Sequence, residues 1–184
     1  MTEFCAVIGA SINPAFAGKK WNGSPVGNTA NFAVAFNGTG FTSLKQMLDR
    51  TVPGCANTRT DIPPVDVANL TTLEWRNDEK KMGFVDTHHG PCEVWIDDTR
   101  VFQNDDCAAN YRAYPAVLPI NYAECVNTNC MLTIIWLAVH KPEWEIYKQC
   151  VPITFPVSLS VRNTKSSVRL VMFSSCLAYY LGFD

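Results

Sequence analysis

The sequence lacks a marked excess of either charge sign. It has 15 lysines and arginines against 17 aspartates and glutamates, which gives a formal net charge of −2. No basic run is longer than the pair Lys80 and Lys81. Proteins that bind nucleic acids or anionic membranes normally carry a basic patch, so we expect neither partner here. A polymer bound by stacking and hydrogen bonding, such as a polysaccharide, is compatible with this balance.

Long hydrophobic runs are also missing. The apolar stretch at residues 5–10 is far shorter than the core of a signal peptide, and no basic residue precedes it. The apolar stretch at residues 168–183 is short for a membrane span and fits neither a strand nor an amphipathic helix. We therefore divide the chain into residues 1–14, an uncertain leader or misassigned start, residues 15–153, the folded domain, and residues 154–184, an uncertain tail.

The eight cysteines include no CxxC pair, the usual signature of zinc ribbons and thioredoxin-like motifs. A dispersed, even number of cysteines is typical of disulfides and hence of an oxidising compartment. Three N-x-S/T glycosylation signals, at Asn22, Asn37 and Asn69, agree with this interpretation. The sequence therefore predicts a secreted, extracellular protein.

The residue patterns predict two short helices, at residues 29–36 and 42–50, the second beginning with a capping box from Ser43 to Gln46. Residues from Leu73 onward favour strands. Residues 93–96 and 100–103 predict a hairpin around a three-residue turn.

Two longer segments complete the predicted sheet. The apolar run 131–139 predicts a central strand between two sheets, and residues 144–153 predict a further strand. Short strands, irregular loops and disulfides together indicate an antiparallel β-sandwich.

Histidine is scarce, since only His88, His89 and His140 are present. The adjacent pair is explained either by a polar loop before a strand or by metal ligation. Imidazole suits copper and zinc, but a metal site needs several donors. The residues alone leave both explanations open.

Six segments, in order along the chain, carry a resemblance to a known family: NTANF at 28–32, FTSLK at 41–45, HHGPCEVW at 88–95, VFQNDDCAANY at 101–111, WLAVH at 136–140 and WEIYKQC at 144–150. Over roughly residues 15–153 the chain resembles the oomycete, pectin-active family of copper lytic polysaccharide monooxygenases. The resemblance implies an immunoglobulin-like or fibronectin-III-like antiparallel β-sandwich with short helices in an N-terminal insertion and long loops. It also implies a monomer that uses copper and an external electron donor to cleave pectic homogalacturonan oxidatively.

The resemblance implies four site residues. His88 corresponds to the second histidine of the copper-binding histidine brace, and Tyr147 to the axial tyrosine. His140 corresponds to an outer-sphere histidine, and Glu145 stands where many members carry glutamine. An ionised carboxylate accepts hydrogen bonds but donates none, unlike the glutamine amide. We expect His88 and Tyr147 to meet on one exposed face with His140 and Glu145 close behind. Residues Tyr114, Trp144 and Lys148 are candidates to flank the glycan.

The chain departs from the family at one point. The brace requires a histidine at the amino terminus, and no histidine precedes His88. Copper affinity depends on the number and geometry of donors, so the sequence as written predicts impaired copper binding. The alternatives are a non-catalytic secreted protein that binds a glycan or a host partner, and a small structural domain whose histidines have no special role.

The resemblance also guides the choice among the fifteen possible pairings of six cysteines. It implies the disulfides Cys92–Cys107, Cys125–Cys130 and Cys55–Cys150. The two remaining cysteines, Cys5 and Cys176, either pair with each other or both fall outside the mature protein.

Overall fold

The computed structural model describes residues 4–155 and the backbone of residues 171–173. Its strands are β1 (Ala6–Ile8), β2 (Val65–Asp66), β3 (Thr72–Arg76), β4 (Cys92–Ile96), β5 (Thr99–Asn104), β6 (Ala116–Pro119), β7 (Asn129–Ala138), β8 (Trp144–Thr154) and β9 (Val171–Phe173). Its α-helices are α1 (Pro25–Phe36), α2 (Leu44–Leu48) and α3 (Cys107–Asn110).

The strands form two sheets. The larger sheet has the order β1-β8-β7-β4-β5, and β2 pairs with the C-terminal end of β8. The smaller sheet has the order β6-β3-β9. Most neighbours are antiparallel, while β2–β8 and β3–β9 are parallel. Ten residues of β7 pair with β8, so these two long strands form the centre of the domain.

Strand β7 separates two hydrophobic cores because successive side chains of a strand point to opposite faces. Ile134 and Trp136 pack into the core shared with the smaller sheet, where Trp75 of β3 lies. Ile135 and Leu137 pack into the second core, which contains aromatic residues of the helical layer such as Phe32. The protein is thus a β-sandwich with helices covering the outer face of the larger sheet. This arrangement explains why nearly all of β7 is apolar.

The three implied disulfides are confirmed. Cys55–Cys150 ties the segment after α2 to β8, Cys92–Cys107 links β4 to α3, and Cys125–Cys130 closes the loop before β7. Cys176 lies outside the described residues.

Three local predictions needed correction. Helix α1 begins at Pro25, four residues earlier than predicted, because Ser24 accepts a hydrogen bond from the N–H of Gly27 and proline suits the first turn of a helix. Helix α2 is shorter than predicted: it begins at Leu44 and ends at Leu48. The β4–β5 turn contains two residues instead of three, since Thr99 already pairs with Ile96.

The predicted mainly β, antiparallel sandwich with short helices is confirmed. Its assignment to the immunoglobulin-like or fibronectin type remains a prediction, as do the domain boundaries. Strand β1 contributes to the larger sheet through antiparallel pairing of Ala6–Ile8 with residues 144–146 of β8.

Candidate metal site

The four predicted site residues come from three neighbouring segments at one end of the larger sheet. Glu145 and Tyr147 alternate on β8, so their side chains share a face. His140 follows the end of β7, which pairs antiparallel with β8. His88 precedes β4, the other neighbour of β7. The short connection between β7 and β8 therefore places His140 beside Glu145, and the order of the sheet brings His88 to the same end.

The backbone before β4 is anchored to β7. The N–H of Val139 donates to the carbonyl oxygen of His89 at 2.8 Å, and the N–H of Leu137 donates to that of Pro91 at 2.9 Å. Gly90 lies between them with φ of +154°, and a Cβ there would lie 1.9 Å from the carbonyl oxygen of Leu137. Only glycine fits this close approach, so Gly90 lets the histidine segment lie directly against β7.

The structure brings all four predicted residues together. His88 Nε2 lies 3.3 Å from Glu145 Oε2, and the rings of His88 and His140 stack with their centroids 4.0 Å apart. The Tyr147 hydroxyl donates to Glu145 Oε2 at 2.8 Å. Candidate ligand atoms of His88, His140 and Glu145 all lie within 4.8 Å of one another.

The cluster is more buried than expected. Tyr147 is 2% exposed and Glu145 is 4% exposed, so neither lies on an open face. The side chain of His88 is 24% exposed, and that of the neighbouring Lys141 is 43% exposed. Solvent therefore reaches the cluster beside His88 and Lys141.

Two donors hold the Glu145 carboxylate. The ammonium group of Lys141 donates to Oε1 at 2.6 Å, and the Tyr147 hydroxyl donates to Oε2. Burial acts to raise the pKa of Glu145, but the hydrogen bonds from Lys141 and Tyr147 outweigh it and lower the pKa below its ordinary value. The carboxylate is therefore an anion at neutral pH. Burial, with the hydrogen bond to Glu145 and its negative charge, raises the pKa of Tyr147, so the phenol keeps its proton.

The two clustered histidines are neutral at neutral pH. Burial lowers the pKa of His140 to about 4, and repulsion from His88 acts in the same direction. Burial also lowers the pKa of His88; attraction to Glu145 opposes this effect, and Lys141 adds to it. Neutral imidazoles keep a nitrogen lone pair, which is the form that binds metals.

The donor set fits a transition-metal ion. The buried Nδ1 of His140 has no hydrogen-bond partner among the described residues. Because buried polar atoms normally have a partner, this nitrogen is a candidate metal ligand. Thr87 Oγ1 lies 3.0 Å from His88 Nδ1. The hydroxyl oxygen can accept a hydrogen bond from a protonated Nδ1, and in that tautomer the lone pair of Nε2 is free to bind a metal. Imidazole nitrogen suits copper, zinc and iron, and a carboxylate can complete the set. The donors do not single out copper, which is the ion implied by the resemblance.

His89 lies in a separate contact. Its Nδ1 is 2.6 Å from Asp106 Oδ2, and Oδ1 of the same carboxylate accepts hydrogen bonds from the N–H groups of Gly90 and Ala109. The carboxylate thus caps α3 and fixes the segment before β4. The contact occupies Nδ1 of His89 and keeps this ring apart from the cluster around His88.

The three residues predicted to flank the glycan, Tyr114, Trp144 and Lys148, do not form a common exposed surface. Trp144 and Lys148 are 0% and 2% exposed, because β8 is covered on both faces. Tyr114 is partly exposed, but it precedes β6 of the smaller sheet and donates to Asp78. Buried Trp144 and Lys148 cannot form a surface that binds a glycan, so that prediction was wrong for both.

Three neighbours of the cluster were not predicted from the sequence. The ammonium group of Lys141 forms an ion pair with Glu145. In the sequence, only the separation of four residues between them, across the β7–β8 connection, pointed to this contact. Trp136 stacks on Tyr147 with ring centroids 4.4 Å apart, as expected for the cross-strand partner of that tyrosine. Phe4 contacts the other side of the tyrosine, with ring centroids 6.5 Å apart.

No protein-family model matches this chain, and no curated protein is significantly similar to it. Among the described residues, no helix has the length and hydrophobicity needed to cross a membrane.

Proposed function

We propose that this protein is a secreted oxidoreductase of the copper-dependent lytic polysaccharide monooxygenase type for pectic homogalacturonan, and that copper binding and activity are impaired in the chain as written because no histidine precedes His88. The observation that carries the proposal is the convergence of His88, His140, Glu145 and Tyr147 in one cluster. These positions are implied by the resemblance, and they are far apart in sequence. The three disulfides support an extracellular protein.

His88 would supply a ring nitrogen to the metal, with its other nitrogen oriented by Thr87. His140 and Glu145 offer further donors within reach of the same point. Copper, when bound, supplies one-electron chemistry with oxygen or peroxide, which these side chains lack.

Glu145 is the group best placed to hold a proton in this cluster. It is an anion that accepts hydrogen bonds from Lys141 and Tyr147, and it can take up a proton while His88 Nε2 remains available to the metal. Tyr147 keeps its hydrogen and orients the carboxylate. Lys141 adds a half-exposed positive charge at the opening, which favours a polyanionic substrate such as homogalacturonan.

A full-affinity copper site would require another histidine, because the resemblance implies one with a free α-amino group and the sequence contains none before His88. The structure suggests where such a residue would fit. Phe4 lies against Tyr147, and the N–H of Cys5 donates to the carbonyl oxygen of Ile146 at 2.7 Å. A chain that begins at position 4 would therefore place its amino group beside the cluster.

The test compares two secreted proteins, the chain from Met1 and a shortened chain that begins at residue 4 and carries Phe4→His. Calorimetric titration with Cu(II) measures affinity, and mass spectrometry of homogalacturonan treated with ascorbate measures oxidised products. We expect weak copper binding and no oxidation from the first protein. We expect tight one-to-one binding and oxidised oligogalacturonides from the second, because one residue then contributes two donors at high effective concentration.

The matched control is the shortened protein with the further change His88→Ala, which should lose both properties. If the shortened protein neither binds copper tightly nor oxidises homogalacturonan, the oxidative proposal fails and the non-catalytic glycan-binding alternative gains. Tight binding and oxidation by the chain from Met1 would show that the existing donors suffice and that the missing histidine was wrongly judged essential.

A further inference from the structure

We propose that Asn37 carries an N-linked oligosaccharide whose first sugars lie in the cleft between α1 and the β4–β5 hairpin. This proposal is independent of the copper chemistry. It combines the sequon Asn37-Gly38-Thr39 with the position of that asparagine at the rim of an unfilled cleft.

The cleft has a volume of about 360 Å³ and lies on the side of the hairpin that faces α1. Its lining includes Phe32, Val34 and Asn37 on the side of α1, and Arg100, Gln103 and Asp105 on the opposite side. One wall is apolar and comes mainly from α1, while the opposite wall is polar and comes from β5 and the residues after it. A sugar such as N-acetylglucosamine has matching chemistry, since its ring has apolar C–H faces and its rim carries hydroxyl and acetamide groups.

Asn37 is positioned to direct a glycan into this cleft. It is the exposed residue that follows Phe36 and caps the C-terminus of α1. Val34 precedes it by three residues, so the two side chains are neighbours on the helix surface. Val34 is 65% exposed although it borders the cleft. A glycan on Asn37 would be held beside this apolar side chain at high effective concentration, because its attachment point is already there.

The polar wall offers hydrogen-bonding groups. Gln103 and Asp105 are exposed and bond each other at 2.5 Å between Nε2 and Oδ1. Arg100 Nη1 donates to Glu93 Oε1 at 2.9 Å, while 38% of the arginine side chain stays exposed. These groups can exchange bonds to water for bonds to sugar hydroxyls and the acetamide.

The other two sequons have different surroundings. Asn69 is exposed in the turn between β2 and β3 and is not among the residues that line the cleft. Its glycan would extend into solvent, which makes it the internal comparison. Asn22 is exposed, but its sequon ends in Ser24, which is followed by Pro25 and caps α1. We therefore expect modification of Asn37 and Asn69, with a packed glycan only at Asn37.

The modification requires a lipid-pyrophosphate-linked oligosaccharide as the donor. The Asn37 amide nitrogen forms a bond to C1 of the first N-acetylglucosamine and loses one proton to a base, while the bond from C1 to the pyrophosphate oxygen breaks and lipid pyrophosphate leaves. No oxidant or reductant takes part. The proposal requires the oxidising secretory route that the disulfides favour.

The experiment secretes the full chain from a eukaryotic host and maps glycopeptides by mass spectrometry. Native protein is then exposed to an endoglycosidase, and release is timed at each site. We expect both Asn37 and Asn69 to be occupied, with release at Asn37 about tenfold slower, equivalent to ~1.4 kcal/mol of packing. After denaturation the two rates should become equal.

Variants test separately whether Asn37 is glycosylated and whether its glycan packs in the cleft. Asn37→Gln should remove one glycan, and Thr39→Ser should retain it, because the sequon and the Thr39 hydroxyl bond to Phe36 are both kept. Val34→Asp should accelerate release at Asn37 to the rate at Asn69. An unmodified Asn37 would overturn the proposal whether or not Asn69 is occupied, and equal native release rates at the two sites would overturn the packing of the glycan.

Discussion

His88 and His89 are neighbours in sequence, and each lies near a carboxylate, yet their surroundings differ. His89 contacts Oδ2 of Asp106, and Oδ1 of the same carboxylate accepts hydrogen bonds from two backbone N–H groups. His88 contacts Glu145 within a cluster that contains a second histidine, a tyrosine and a lysine. A histidine–carboxylate pair alone therefore does not identify a functional site.

The difference lies in which polar groups remain unsatisfied. Around His89, the carboxylate caps a helix and anchors a loop, so the contact has a structural role. Around His88, two neutral imidazoles and one anionic carboxylate lie within 4.8 Å, and Nδ1 of His140 lacks a partner among the described residues. Unprotonated nitrogen and oxygen atoms grouped in this way can serve as ligands of a metal ion.

The largest expected effect is that of Gly90→Ala, which disturbs both histidines. The added Cβ would collide with the Leu137 carbonyl, and alanine disfavours the φ of +154°. Strain and overpacking together should lower the free energy of unfolding by ~2–6 kcal/mol. Denaturant titration measures the change.

Gly54→Ala is the matched control, because Gly54 also has a positive φ, +57°, but a Cβ at this position would have no atom within 4 Å of it. It should cost only ~1–2 kcal/mol. Equal losses in the two variants would show that the approach to Leu137 has no special importance.

Asp106→Ala should affect stability through the His89 region. It removes the cap of α3 and leaves the largely buried His89 without its carboxylate. Together these losses should cost about 2–4 kcal/mol, measured by thermal or denaturant unfolding. Asp105→Ala changes the exposed neighbouring carboxylate and should stay within about 0.5 kcal/mol of wild type. A small effect of Asp106→Ala would contradict the structural role of the His89 contact.

A smaller effect should appear in the pH dependence of stability. The pKa of His140 is lowered from 6.5 to about 4 in the folded protein. Between these values the unfolded chain takes up a proton that the folded chain does not, so the free energy of unfolding should fall as the pH drops. The lowered pKa of His88 acts in the same direction.

Unfolding of wild type and His140→Gln at several pH values between 7 and 5 isolates this contribution, since Glu145 stays ionised throughout the range. The variant should lose less stability on acidification than wild type. Identical pH profiles would show that His140 is not kept neutral by its surroundings.

The sequence predicted the parts of the fold that depend on local pattern. The apolar run in β7 and the strand β8 were recognisable because both strands are buried between two layers. The start of α1 was missed, although Ser24 and Pro25 form a helix-start signal. The position of residues before 15 was not predictable, since pairing of β1 with β8 joins segments about 140 residues apart.

The site was predictable only in outline. A short connection between two antiparallel strands places His140 near Glu145, and the resemblance supplied His88 and Tyr147. The bond from Lys141 depends on a side-chain conformation that spacing does not determine. The pairing of His89 with Asp106 depends on where α3 packs, which no local pattern reveals.

The most direct test of the central claim is a calorimetric Cu(II) titration of wild type, His88→Ala and His89→Ala, each shown to be folded at the titration temperature. If the cluster around His88 is the metal site, His88→Ala should weaken binding by at least about tenfold, as expected when a first ligand is lost. His89→Ala should leave the affinity within about twofold, since the His89 ring is bonded to Asp106. Equal affinities of wild type and His88→Ala, or a greater loss in His89→Ala, would contradict the account.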